Sequence, residues 1–222
     1  RNHTHIYQEY ESTIYALTAA IDAKDHYTFS HSNNVAYYAT SLATTLGMNE
    51  DMIEIIRQAA LLHDVGKIGI PEYILNKEGK LTDEEYEIIK GHVEASIDII
   101  RHLPSLDYVI PAVIGHHERY DGKGYPDGLK GEEIPIAAQV VAMADVYDAL
   151  VSERVYKKAF SHEKAIEMIL NGECGVFNPI LLGCLVDIQD RLKEELQSGF
   201  QKKKNEDLYP VLSEEIKEET EK

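Results

Sequence analysis

Apolar residues in this chain recur every three or four positions, and no run alternates in the two-residue period of a half-buried strand. That period lets helices bury a stripe and leaves a sheet nothing to bury. Ile6, Tyr10, Ile14, Leu17 and Ile21 form the first stripe, and Val35, Tyr38, Ala39 and Leu42 the second, on a helix expected from about His31 to Leu46 that stops at Gly47. Asn49 ahead of Glu50 and Asp51 starts a third, which carries Met52, Ile55, Ile56, Ala59 and Leu62 into His63-Asp64. Glycines and Pro71 between Gly66 and Gly79 read as a loop with a short extended stretch. Thr82 with Glu85 forms a capping box, opening one helix through Tyr86, Ile89, His92 and Val93. Pro111 opens the segment to His116-His117. Gly122, Gly124, Gly128 and Gly131 with Pro126 then demand a structured loop, followed by a strongly apolar helix from about Ile136 to Ser152. Ser161 and Asn178-Pro179 begin two more. With 222 residues, 44% of them apolar, the chain can bury a core, and the expectation is all-α.

Chemistry-bearing side chains interrupt these stripes. His31, His63-Asp64, His92, His116-His117 and Asp145 each fall in an otherwise helical pattern. A lone histidine in a helix is most often an ordinary hydrogen-bonded residue, but two adjacent pairs change that reading. Asp145 follows the run Val140-Val141-Ala142-Met143-Ala144, where a carboxylate is costly to bury unless paired or metal-bound. Imidazole nitrogen and carboxylate oxygen suit iron, manganese, nickel or zinc, and an adjacent His-Asp pair can set one carboxylate between two ions. The set has enough ligands for two hydrolytic metal centres.

Charge narrows the partners. The formal net charge is −17, with 22 basic against 39 acidic residues, which argues against a nucleic-acid polymer. A small anionic substrate remains compatible, because two divalent ions would invert the local field. No run reaches the roughly 20 apolar residues a bilayer requires, so no membrane contact is expected and the cytoplasm is the expected location. Cys174 and Cys184 lack metal-ligand spacing and read as buried free thiols in a reducing compartment, with a regulatory disulfide or a thiolate ligand as the alternative.

The stretches His63-Asp64-Val65-Gly66-Lys67-Ile68-Gly69-Ile70-Pro71, His116-His117-Glu118-Arg119-Tyr120-Asp121-Gly122-Lys123-Gly124-Tyr125-Pro126 and Ala144-Asp145-Val146-Tyr147-Asp148 resemble, in family order, the motifs of the HD-GYP branch of the HD phosphohydrolases. The resemblance covers about residues 23–186. It implies an all-α HD-domain helical bundle with a glycine-rich GYP loop and extra C-terminal helices, and hydrolysis of the second messenger cyclic di-GMP to linear pGpG and, in some members, GMP. By position, it implies that His31, His63, Asp64 and Asp145 hold one metal and that Asp64, His92, His116 and His117 hold the other, with Asp64 bridging and a water or hydroxide between the ions as nucleophile. Iron or manganese is the first expectation and nickel or zinc the second. Lys67 would reach a phosphate oxygen or the leaving oxygen. Arg154 and Lys157, and more weakly Lys158, would grip the substrate phosphates. Gly124 and Tyr125 would approach the ligand, through a loop expected to need flexible φ angles, and the same surface would offer a diguanylate cyclase a contact.

Three departures stand out. Tyr27 occupies the position where a subset of the family carries a glutamate for a third metal, so two metals are expected; Val155 replaces a proline and Asn178 an aspartate. The expected organisation is a leading helix at 1–22, the HD-GYP domain at 23–198 and a charged tail at 199–222, either solvated or docking. The leading helix either continues from an upstream sensor or receiver module or is the first helix of the fold, and a second copy of the chain, as a homodimer, is among the expected partners. Two alternatives to cyclic di-GMP hydrolysis remain open: hydrolysis of another cyclic dinucleotide or nucleotide, and a catalytically silent receptor that binds the dinucleotide and signals through partners.

Overall fold

The computed structural model describes residues 2–24, 31–103, 106–153 and 157–198. Among them are ten α-helices and no strand: α1 (Asn2–Lys24), α2 (His31–Thr45), α3 (Glu50–Leu62), α4 (Glu72–Leu75), α5 (Asp83–Lys90), α6 (His92–Ile100), α7 (Ile110–Gly115), α8 (Ile136–Val151), α9 (His162–Leu170) and α10 (Pro179–Gln197). The fold is the expected all-α helical bundle. No helix among the described residues is long and apolar enough to cross a membrane.

The chain forms two compact units, Arg1–Ile188 and Gln189–Lys222. In the first, α8 is the central helix, packed on α2, α3, α7 and α9. Val140, Val141, Met143 and Ala144 have no exposure, which is the fate of a helix that is apolar all round. Tyr147 meets Tyr38 of α2 edge to face at 4.8 Å, locking those helices with a favourable ring geometry. The face of α8 that protein leaves uncovered carries Ala142, Asp145 and Val146, at the helical spacing of one stripe.

Local signals set the helix ends as expected. Asn49 accepts from the Met52 amide to cap α3, both hydrogen bonds of the Thr82/Glu85 box are present, and Ser161 caps α9. Gly47 ends α2 at φ +81°, a conformation only glycine adopts cheaply.

Two stretches differ from expectation. The helix expected to run unbroken from Thr82 through Val93 is two helices, because the ladder is interrupted at Gly91, whose N–H is shared among the carbonyls of Glu87, Ile88 and Ile89. The region after Gly66 is more ordered than a loop, with extended backbone at Ile70. It holds a 3-10 turn at Val65–Gly69 and then α4, which starts after Pro71 and buries Ile74. On α1, Ile14, Thr18, Ile21 and Asp22 are buried against the body, and the helix runs without a break through the position-22 boundary. Its C-terminal half is part of the packed unit. The tail at 199–222, Tyr27, Val155 and Arg154 lie outside the described residues.

Candidate metal centre

All the candidate ligands but Asp145 sit at helix ends, and the helices are packed so that those ends converge. His31 begins α2, His63 caps the C-terminus of α3 with Asp64 next, His92 begins α6, and His116 caps α7 with His117 next. Carbonyls in the last turn of a helix lack intrahelical partners, and histidine can supply one. The Nδ1 of His63 donates to Ala60 O at 2.5 Å, that of His116 to Val113 O at 2.6 Å, and that of His92 to Ile89 O at 2.6 Å. Each bond lies three residues back, fixes the ring orientation, and turns Nε2 toward the centre. The C-terminal ends of α3 and α7 also bring their negative dipole ends to the same point, which favours a cation there.

The inward atoms form two groups that share Asp64: Asp64 with His92, His116 and His117, and Asp64 with His31, His63 and Asp145. Within each group the ligand atoms all lie within 4.8 Å of one another. Asp64 Oδ2 is 3.0 Å from His63 Nε2 and 3.8 Å from His31 Nε2, while Oδ1 is 3.3 Å from His92 Nε2 and 3.7 Å from His116 Nε2. Asp145 Oδ1 is 3.0 Å from His31 Nε2 and 3.4 Å from His63 Nε2, and the Nε2 atoms of His117 and His92 are 3.1 Å apart. His63 Nε2, His116 Nε2 and Asp64 Oδ1 are buried and have no hydrogen-bond partner among the described residues. Leaving such atoms orphaned is destabilising unless something binds them. The donor set suits a divalent metal centre.

Electrostatics point the same way. Burial alone would disfavour charge on every member. The carboxylates of Asp145, Asp148 and Asp64 override it at His31 and hold its pKa well above the ordinary value, and Asp64 and Asp145 raise His63 to about 10. Burial would likewise raise Asp64 and Asp145, yet His63 and Lys67 hold the first well below the carboxylate range, and His31 and His63 do the same for the second. Protons on these imidazoles neutralise the carboxylates, the task a bound cation would take over. Burial and neighbouring imidazoles push His116 and His117 down, so both offer neutral ligands.

Lys67, in the 3-10 turn, brings Nζ to 3.1 Å from Asp64 Oδ2. Gly66 makes that turn possible: its N–H donates to Ser96 Oγ at 2.7 Å, and an added Cβ would lie 2.1 Å from His92 O. Tyr125 stacks on His117 at 4.8 Å with its ring only 16° from parallel. Gly124 departs from the expected reason for a glycine, since the positive φ angles of the loop fall at Gly122, Gly128 and Gly131. At Gly124 the constraint is space, with a Cβ coming 2.4 Å from Arg119 N and His117 O. Lys157 donates to Ala149 O at 3.3 Å, lies over the Phe160 ring and does not line the cavity beside the centre. The cysteines are free thiols, Cys184 buried and Cys174 partly exposed at that cavity.

Of the buried carboxylates that sequence reasoning did not assign, two support the site directly. Asp148, with no exposure, accepts from His31 Nδ1 at 2.6 Å, Asn34 Nδ2 at 3.2 Å and Ser152 Oγ at 3.2 Å. Its signal was its place three residues after Asp145 in an apolar helix. Glu118 accepts from the amides of Asp127 at 2.7 Å and Leu129 at 2.9 Å, which ties the glycine loop to the end of α7.

The HD domain family profile matches residues 16–174. A cyclic di-GMP phosphodiesterase of Vibrio cholerae is 38% identical over 193 residues, covering 80% of this chain and 39% of that protein. A 3'3'-cGAMP-specific phosphodiesterase 2 of the same organism is also 38% identical, over 181 residues, covering 80% of this chain and 34% of that protein. The chain thus spans well under half the length of these relatives. A solved HDG"Y"P protein from Bdellovibrio bacteriovorus shares the fold, with a TM-score of 0.59 and 23% identity over 72% of this chain and 51% of that one.

Proposed function

The chain belongs to the HD domain family, on its HD-GYP branch, and we propose that it is a phosphodiesterase that hydrolyses cyclic di-GMP to pGpG, with GMP as the product of a second cut. The observation that carries this reading is the pair of four-ligand groups sharing Asp64, three of whose buried atoms lack hydrogen-bond partners. His31, His63, Asp64 and Asp145 would hold one divalent ion and Asp64, His92, His116 and His117 a second, iron or manganese before nickel or zinc. When bound, such ions polarise the phosphate and lower the pKa of a water nucleophile.

The chain's own residues do the rest. Carbonyl-anchored Nδ1 atoms keep the imidazoles aimed without reorganisation. In hydrolysis the oxygen of water joins phosphorus, the P–O3′ bond breaks, and the leaving oxygen takes a proton; the Lys67 ammonium beside Asp64 is the cation in reach of that oxygen or of a non-bridging one. Tyr125, stacked on His117, gives the ligand an aromatic wall with little freedom to lose. The family resemblance proposes Arg154 and Lys157 for the substrate phosphates. The cytoplasm is the proposed setting, consistent with two unpaired thiols.

Protein purified without oxygen and loaded with manganese or ferrous iron is expected to linearise cyclic di-GMP, and Asp64→Ala to abolish turnover while the fold persists. Folded, metal-loaded protein that leaves the dinucleotide intact would refute the assignment. A second reading, hydrolysis of a hybrid guanine-adenine cyclic dinucleotide, draws support from the relative of equal identity whose name specifies 3'3'-cGAMP. Relative kcat/KM values on a panel of cyclic dinucleotides separate the two.

A further inference from the structure

A cavity of about 290 Å³ begins at His116, His117 and Asp145 and extends to Gly175 and Asn178. It lies at the small end of the range for ligand pockets, so beside the metal ligands it offers room for one nucleotide half of a cyclic dinucleotide. Its floor is the uncovered stripe of α8, Ala142 and Val146. Away from the metal ligands, its wall combines an aromatic ring, Phe177, an exposed guanidinium, Arg119, and an amide pair in which Asn178 Nδ2 donates to Gln139 Oε1 at 3.1 Å. The Gln139 Nε2 is itself anchored on Ile134 O at 2.9 Å, so the pair is fixed. An aspartate at 178 could not make that donation, which gives the asparagine a specific role.

Arg119 is the unusual member. Its guanidinium is laid against Gly175, where an added Cβ would come 2.4 Å from Nη2 and 3.0 Å from Cζ. Gly175, at φ +103°, thus provides a flat backbone surface that fixes the arginine plane within the cavity wall. Among the described residues no carboxylate pairs with Arg119. A planar, oriented, unneutralised fork of N–H donors in a cavity wall matches two adjacent acceptors in one plane, which guanine presents as O6 and N7. Adenine presents a donor beside N7 and satisfies only half of the fork.

We infer that Arg119, braced on Gly175, reads a guanine base bound between Phe177 and the Gln139–Asn178 pair, and so sets the base preference of the site. The inference rests on the reading of this cavity as the place where a cyclic dinucleotide sits. The test uses metal-loaded protein hydrolysing bis(p-nitrophenyl) phosphate, a diester without a base, with cyclic di-GMP and cyclic di-AMP as competing inhibitors. Arg119→Ala is expected to raise the inhibition constant of cyclic di-GMP by about tenfold or more and that of cyclic di-AMP by less than about twofold. Arg119→Lys, a point charge without the fork, is expected not to restore the preference. Equal shifts for both dinucleotides would make Arg119 merely structural, and no shift for either would remove it from the site; each result overturns the inference. Cyclic di-GMP that competes through Arg119 but yields no pGpG would sustain the inference and refute cyclic di-GMP as the substrate hydrolysed.

Discussion

Asp148 touches none of the inward ligand atoms, yet three donors converge on it. A carboxylate offers only acceptors, so His31 Nδ1 can donate to one oxygen while Asn34 and Ser152 donate to the other. Asparagine at this position would turn an NH₂ group toward donors at one of the two oxygens, leaving either His31 or Asn34 mispaired. Asp148→Asn is therefore expected to weaken metal binding by about 10- to 100-fold while leaving the helical content intact. Competition against a chromophoric chelator measures it, and an unchanged affinity would show that His31 orients without Asp148. Ligand candidates such as His63 and Asp145 were legible in the sequence because polar residues in apolar helical runs need a partner. Asp148 had the same signal. It went unassigned because spacing alone does not say which of two carboxylates one turn apart faces the centre and which backs the imidazole.

The 3-10 turn Val65–Gly69 carries Lys67 to the centre only because α6 passes against it. Gly66 is where they meet: the carbonyl of His92 and the amide of Ser96 leave no room for a Cβ, which would come 2.1 and 2.4 Å from them. Both obstacles are backbone and cannot rotate away, so α6 and His92 would have to move. Gly66→Ala is expected to destabilise the protein by about 3 kcal/mol or more, read as a fall in the midpoint of urea unfolding. Gly69→Ala, in the same turn but facing open space, is the control and is expected to fall within about 0.5 kcal/mol of the parent. Equal effects would show that the turn, not the approach of α6, is what glycine serves. The bounds of α2, α3 and α8 were readable within a residue or two, and Ser161 marked the start of α9. The break at Gly91 was not, since Tyr86, Ile89, His92 and Val93 keep one period across it. Nor was α4, a single turn set by Pro71 and the burial of Ile74 rather than by a repeating pattern.

Over the whole chain the charge of −17 and the cluster at the centre pull a substrate in opposite directions. On the proposed reading, an anionic dinucleotide would meet a repulsive field at long range, and at the centre bound cations, Lys67 and Arg119 would attract it over a few ångströms. Salt screens the first over a Debye length of about 8–10 Å near physiological strength and hardly touches the second, which acts at contact. Adding monovalent salt from about 10 to 150 mM is therefore expected to raise kcat/KM for the dinucleotide by about two- to threefold, through faster association. A basic nucleic-acid binder responds with the opposite sign, losing affinity as counterion release weakens. A steep fall in kcat/KM with salt would mean that a cationic surface, rather than the short-range groups, captures the substrate. The sign follows from the composition alone, but where attraction takes over does not. That depends on four helix ends being packed to a single point, which only the fold supplies.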